Sequence, residues 1–354
     1  MRILGIESSC DDTSICLMDI TDEKIEILAE KTASQIDIHK KYGGVIPEIA
    51  GRKHAEVITP VVEEIMKDFD KPDAIAVTAG PGLITGLIVG VETAKTLSYL
   101  WNTPLIAVNH IDGHINSVKL HLEADSPNQK LNFPILSLVV SGGHTELILS
   151  REKGHYEKIG GTRDDAAGEA FDKIAKIIGL DYPGGPKISK HAVDGNPKTI
   201  KFPRPMMDSD DYDMSFSGLK TAALYWLQDN APKTENNTFK LEPQILDDFC
   251  ASFEQAIVDV LVEKTVKAVK QYKPSNVLLV GGVSANAKLR ETSKNTIEHI
   301  SGTDFHLSAL KYSMDNAAMI AAAGYNYAKE GKFTNWREVQ ADPNWKVYQK
   351  VENI

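Results

Sequence analysis

Asn109-His110-Ile111-Asp112-Gly113-His114 sets two histidines four residues apart where one local pattern gives way to another. Before it, Pro104-Leu105-Ile106-Ala107-Val108 is a short apolar run that predicts a buried strand. After it, Ile115, Val118 and Leu122 continue at helical spacing. On a helix, positions i and i+4 lie one above the other, about 5–6 Å apart at Cβ, a separation that lets two imidazoles meet on one ion. An isolated H-x-x-x-H pair more often caps or packs, so a metal reading needs a third ligand and a ligand-sized cleft.

The rest of the chain supplies a repeating frame around this junction. Ile3 to Ile6, the polar turn Glu7-Ser8-Ser9-Cys10-Asp11-Asp12-Thr13 and Ser14 to Met18 predict a β-hairpin. Its tip suits a phosphate through backbone N–H groups, or a cation through Asp11 and Asp12. Ile25 to Leu28 predicts a strand, and a helix follows from about Pro47 to Met66 with His54 inside it as a structural residue. Ala74 to Val77 predicts a strand that enters Ala79-Gly80-Pro81-Gly82-Leu83-Ile84-Thr85-Gly86 and then a helix from Val89 to Leu100. Such a glycine turn before a helix directs N–H groups towards an anion, but the spacing is not that of a P-loop.

The same order then recurs. Ile135 to Val140, Ser141-Gly142-Gly143-His144-Thr145 and Glu146 to Leu149 form a second strand–turn–strand unit. Asn276 to Val280 followed by Gly281-Gly282-Val283-Ser284-Ala285-Asn286 repeats the strand–glycine turn–helix. Between them, Asp164 to Lys173 opens a helix to Ile178, Asp181 to Pro186 reads as a turn, Ser215 to Lys220 enters a helix, and Leu246 to Val269 reads as a long amphipathic helix. The polar stretch from Leu122 to Leu131 connects the halves. Two copies of one α/β unit are expected, 1–120 and 132–321, with 322–354 packing back on the first. Facing lobes would place the glycine turns on an interlobe cleft.

Composition bounds the functional classes. With 354 residues, 42% hydrophobic and 25% charged, the chain exceeds a usual single core and has the make-up of a soluble globular protein. Its first residues lack a signal-peptide apolar region, and Leu83 to Val91 is too short to span a bilayer. Three cysteines, Cys10, Cys16 and Cys250, form no C-x-x-C pair, which points to a reducing, cytoplasmic setting and no membrane. The net charge of −10 argues against a protein that coats nucleic acid. A local excess exists, however: Lys187, Lys190, Lys198, Lys201 and Arg204 face the single acid Asp194, and Asp208 to Asp213 follows as an acidic run.

Taken in order, Glu7 to Thr13, Asn109 to His114, Val140 to His144, Asp164 to Asp172, Tyr182 to Pro186, Gly281 to Asn286 and Asp315-Asn316-Ala317-Ala318-Met319 resemble the bacterial tRNA N6-adenosine threonylcarbamoyltransferases, formerly described as O-sialoglycoprotein endopeptidases. The resemblance reaches to about Tyr327. It implies two ribonuclease-H-like lobes in the actin / hexokinase-like fold around a nucleotide cleft. Carried over residue by residue, it implies metal ligands at His110, His114 and Asp315, with one Fe(2+) per subunit and Zn as the other compatible ion. It also implies that Val139, Val140, Ser141, Gly142, Gly143, Asp172, Gly185 and Asn286 hold the adenylate. Many members have Glu where Asp12 stands, and some have Asp where Ser189 stands.

The implied reaction moves a threonylcarbamoyl group from threonylcarbamoyl-adenylate to N6 of adenosine 37 in tRNAs that read codons starting with A, releasing AMP. Asp11 and Asp12 are the candidate proton acceptors by residue type. The implied partners are tRNA, a paralogous subunit lacking the metal residues, and a small ATPase. Three other readings compete. An endopeptidase would need Glu at 111, where Ile111 stands. A small-molecule kinase of the same fold could use Asp11 for Mg²⁺ but has no use for the histidine pair. A nucleotide-sensing scaffold needs neither metal nor chemistry.

Overall fold

Ile3, Leu4 and Ile6 are all fully buried, although successive strand residues point to opposite faces. The sheet they belong to is therefore covered on both sides. The computed structural model describes residues 1–120 and 131–348. It separates into two compact units, Met1–Lys130 with Ser308–Ile354, and Leu131–Leu307. The expected connection from Leu122 to Leu131 lies, apart from Leu131, outside the described residues.

In the first unit, β1 (Arg2–Glu7), β2 (Asp12–Ile20), β3 (Ile25–Ser34), β4 (Ala74–Gly80) and β5 (Leu105–Asn109) form one sheet in the order β3-β2-β1-β4-β5. β1 pairs antiparallel with β2 and parallel with β4, and β4 pairs parallel with β5. The short α1 (Ile36–His39) follows β3, and α2 (Pro47–Met66) and α3 (Ile84–Trp101) come next. Leu4, Ile6, Ile15 and Leu17 pack with Ile58, Val61 and Ile65 of α2 and Val91 and Ala94 of α3. The histidine helix α4 is His110–Ser117.

In the second unit, β6 (Ile135–Val140), β7 (Thr145–Glu152) and β8 (His155–Gly161) precede α5 (Ala167–Ile177), α6 (Gly184–Ala192), α7 (Ser217–Asn230) and α8 (Pro243–Tyr272). β9 (Asn276–Val280), α9 (Ala287–Ile297) and β10 (Asp304–Leu307) complete it. Its sheet runs β10-β9-β6-β7-β8. Counted within the unit, that is the same strand order as the first, so the repeat seen in the sequence is a repeat of topology. The edge strands β8 and β10 were not expected, because His155-Tyr-Glu-Lys and Asp304-Phe-His-Leu lack a clean apolar run.

The last helix, α10 (Ala317–Lys329), packs Ala317 to Ala323 against Ile3, Cys16, Ala74 and Ala76 on the other face of the first sheet. Residues 308–321, expected in the second lobe, thus belong to the first unit. Small side chains decide this. A row of alanines lets helix and sheet approach closely, and Gly5 of β1 leaves room where a Cβ would lie 2.2 Å from the Ala317 carbonyl oxygen. Two other expectations change. Gly184 and Gly185, read as part of a turn, open α6. α8 is buried on several faces, and even Lys264 is fully covered, its Nζ donating to the carbonyls of Ser209 and Asp211. Among the described residues, no helix is long and apolar enough to cross a membrane, and Cys10, Cys16 and Cys250 are free thiols.

Candidate metal centre

β5 ends at Asn109, whose side-chain oxygen accepts from the Ile111 N–H at 2.9 Å and so caps α4. Its amide nitrogen donates to the Trp345 carbonyl at 3.1 Å, which ties the cap to the C-terminal segment. His110 is therefore the first helical residue and His114 stands one turn on. Their rings are 4.7 Å apart between centroids and nearly perpendicular. Asp112 is directed to other partners: its carboxylate accepts from Asn116 and from the Tyr327 hydroxyl, both at 2.8 Å.

The third candidate donor comes from a distant part of the same unit. Asp315 stands just before α10, where a carboxylate would ordinarily be read as a helix cap. The cap is instead Asn316, which accepts from the Met319 N–H at 2.9 Å. Asp315 Oδ1 lies 3.1 Å from His114 Nε2 and 3.5 Å from His110 Nε2. One donor atom from each of the three falls within 4.8 Å of the others. Ligands about 2.0–2.2 Å from a common ion lie at such mutual distances. Both nitrogens of His114 are buried, and beyond the Asp315 oxygen beside Nε2 neither finds a hydrogen-bond partner, which is costly for a polar ring unless an ion occupies the space. The donor set fits a metal ion.

Glu7, unremarked as a site residue in the sequence, is fully buried at the end of β1. Its carboxylate lies 3.0 Å from His110 Nδ1 and accepts from the Thr78 hydroxyl and the Ser9 N–H, both at 2.6 Å. Burial pushes Glu7 up, but the charge and hydrogen bond of His110 outweigh it and hold Glu7 below the ordinary range. Burial pushes His110 down, while Asp315 and Glu7 raise it to about 9. Asp11 and Asp12 sit near the same charges. Burial, then Asp11, Asp315 and Glu7, raise Asp12 to about 7 against a hydrogen bond from Ser34, and Asp12 Oδ1 is buried without a partner. Burial likewise raises Asp11.

The glycine turn after β4 does not present an anion site. Leu83 N–H donates to the Ser9 carbonyl at 2.7 Å, and Ser9 and Ser8 fill the space beside Gly82 and Gly86. The tip of the β1–β2 hairpin is thus packed into the turn expected to direct its N–H groups towards an anion.

In the second unit the other candidates are linked through one another. Val139 and Val140 end β6, and the Ser141 N–H is already used by the His144 carbonyl at 2.8 Å. Beside Gly142 and Gly143 there is open space, whereas Gly168 of α5 abuts Ser141. Asp172 Oδ1 accepts from Gly184 N–H at 2.7 Å at the start of α6, which carries Gly185. Gly281, at φ +92°, touches the Val140 carbonyl so closely that a Cβ would lie 2.5 Å from its oxygen. Asn286 caps α9 through Leu289 N–H at 2.8 Å. Its amide nitrogen also reaches Ser189 Oγ at 2.8 Å and the buried Glu254 at 2.6 Å. Glu254, another residue missed from sequence, further accepts from Ser189 Oγ at 2.6 Å. The available signal was an acid whose neighbours three and four residues away, Cys250, Ala251, Ile257 and Val258, are all apolar.

A family model for tRNA N6-adenosine threonylcarbamoyltransferase matches residues 26–322. The proteins of that name from Listeria innocua and Geobacillus thermodenitrificans are each 46% identical to this chain, over 96% and 93% of it and 95% and 92% of their own lengths. The chain belongs to the tRNA N6-adenosine threonylcarbamoyltransferase family. Among solved structures, full-length HypF in a phosphate- and nucleotide-bound form aligns with a TM-score of 0.58 at 13% identity, over 94% of this chain and 47% of HypF. At that identity the likeness shows the fold alone, and the duplicated units are of the actin / hexokinase-like class.

In this chain the expected basic face is smaller than the sequence suggested. Arg204 is engaged by Asp259 through Nε at 3.0 Å and Nη2 at 2.7 Å. Lys187, Lys190, Lys198 and Lys201 remain exposed. Within the acidic run, Arg163 binds Asp211 at 2.6 Å and Asp213 at 2.9 Å.

The Asp12 environment has a measurable consequence. Its folded-state value of about 7 lies above the ordinary carboxylate value. The folded state therefore favours the protonated form. Stability attributable to this group is fully present below about pH 4 and is lost as pH rises through about 7. In the metal-free protein, Asp12→Asn should raise the melting temperature by several degrees at about pH 8 and change it little at about pH 4. Equal shifts at both pH values would refute the assignment.

Proposed function

We propose that this chain transfers the threonylcarbamoyl group of threonylcarbamoyl-adenylate to N6 of the adenosine beside the anticodon in tRNAs that read codons starting with A, with release of AMP. The observation that carries the reading is identity of 46% over 96% of the chain to a protein named for this reaction. In the reaction, the N6 lone pair forms a bond to the carbamoyl carbon. The bond from that carbon to the phosphate oxygen breaks, its electron pair leaves with AMP, and the amine proton passes to a base. Asp12 is the proposed acceptor, since a carboxylate held near neutrality suits general-base work at cellular pH; Asp11 is the alternative.

Val139, Val140, Asp172, Gly185 and Asn286 are proposed to hold the adenylate, with Ser141 shaping the turn. The Gly142 and Gly143 amides would offset charge on the leaving phosphate. His110, His114 and Asp315 would hold one Fe(2+), or Zn(2+), per subunit, and the ion would supply Lewis-acid polarisation of the donor carbonyl. The proposed assembly adds a paralogous metal-free subunit and a small ATPase in the cytoplasm. The test is direct: protein, partners, unmodified tRNA and threonylcarbamoyl-adenylate should give AMP and modified adenosine in equal amounts. AMP without modified tRNA would overturn the reading.

Recognition of tRNA needs local positive charge on a chain of net charge −10. Changing Lys187, Lys190, Lys198 and Lys201 together to Ala should weaken tRNA binding by the complete assembly. Each lost phosphate contact should reduce the slope of log affinity against log salt by about 0.7–0.9. Arg204→Ala should lower stability and leave that slope unchanged, because its guanidinium already serves Asp259. An unaltered slope in the quadruple variant would place the tRNA surface elsewhere.

A further inference from the structure

We propose that Glu7 is the positioning residue for His110: it holds the Nδ1 proton and turns Nε2 to the metal. The inference rests on the metal reading above.

An ionised carboxylate only accepts hydrogen bonds. Glu7 is fully buried and lies 3.0 Å from His110 Nδ1, so that nitrogen must carry the proton for the contact to be favourable. Nε2, on the other side of the ring, faces Asp315 Oδ1 at 3.5 Å. Glu7 is itself held in place. Ser9 N–H and the Thr78 hydroxyl each donate to it at 2.6 Å, one to each oxygen. Ser9 Oγ lies 3.1 Å from the same His110 nitrogen and can accept a share of its proton. The support comes from β1, its following turn and β4, which pairs parallel with β1. His114 has no such partner, since its Nδ1 is buried without a hydrogen bond. The two histidines thus differ: His110 is oriented before the ion arrives, while His114 is left to be oriented by it. A carboxylate behind a ligating imidazole fixes its tautomer and raises its basicity.

Co²⁺ binding, measured by chelator competition and by the absorption bands of the bound ion, tests this without any catalytic readout. Glu7→Gln keeps the shape but loses the charge and should weaken Co²⁺ by about 10–100-fold and alter the bands. Thr78→Val removes one support of Glu7 and keeps the carboxylate–histidine contact, so it should weaken Co²⁺ less. A folded Glu7→Gln protein with wild-type Co²⁺ affinity and spectrum overturns the proposal. Should that variant fail to fold, ¹⁵N spectra of the wild-type Zn²⁺ protein decide: His110 must be protonated at Nδ1 and ligated through Nε2, and ligation through Nδ1 overturns the proposal. Wild-type protein that binds neither ion would instead overturn the metal reading, a result distinct from both.

Discussion

His110→Ala should leave purified protein without its metal and without threonylcarbamoyl transfer, while both sheets remain folded. The imidazole is buried and contributes one of three donor atoms that lie within 4.8 Å of one another. Losing a direct ligand should exceed the about 10–100-fold weakening that follows loss of an outer partner. The fold should survive because the cap on α4 is Asn109, which the substitution leaves intact. Some stability will be lost, since Glu7 keeps Ser9 and Thr78 as partners but loses the contact with His110 Nδ1 and stays a buried charge with one donor fewer. Metal analysis after dialysis, AMP release and circular dichroism on the same sample separate these effects. Full metal occupancy in the variant would sink the ligand assignment.

A second large effect is expected far from any donor atom. Gly5→Ala places a Cβ 2.2 Å from the Ala317 carbonyl oxygen and 3.0 Å from the Ala321 nitrogen. Both are backbone atoms, so no side chain can rotate away, and α10 must shift bodily off β1. Overpacking of this kind costs about 1–3 kcal/mol, occasionally more. The displacement also breaks the hydrogen bond from Ala317 N–H to Ser14 Oγ, 3.0 Å long, and carries Asp315, two residues upstream of that contact, away from the histidines. Denaturant midpoint and Co²⁺ affinity should therefore fall together. Unchanged Co²⁺ affinity in a destabilised Gly5→Ala protein would mean that the seat of α10 on β1 does not position Asp315.

The glycine turns show how alike two motifs look before their neighbours are known. Pro81 to Leu83 and Gly281 to Asn286 each link a buried strand to a helix. In the first, Ser8 and Ser9 pack into the turn and the Ser9 carbonyl takes the Leu83 amide. In the second, Asn286 keeps an amide directed at Ser189 and Glu254. The strand–glycine turn–helix pattern that the two share does not reveal which of them is filled by a neighbour. A similar lesson comes from Arg204, which reads as one cation in a basic run until Asp259, 55 residues later, claims it.

By itself the sequence determined what is encoded locally: the strand–turn–strand hairpins, the strand–helix junction at His110, the helical spacing of the histidine pair and the duplication of one α/β unit. These follow from periodicities of two and 3.6 residues and from turn chemistry, which act over a few neighbours. The motif order was also sufficient to place the chain among the threonylcarbamoyltransferases. Only the tertiary structure decided which unit holds residues 308–321, that Asn316 caps α10 in place of Asp315, and that Glu7 stands behind His110. Glu7 and His110 are 103 residues apart, and Ser14 and Ala317 are 303 apart. Such pairings depend on which surfaces can approach closely enough to meet. Here the missing side chain of Gly5 and the alanine row of α10 allow that approach, and close packing of this kind has no period to be read along the chain.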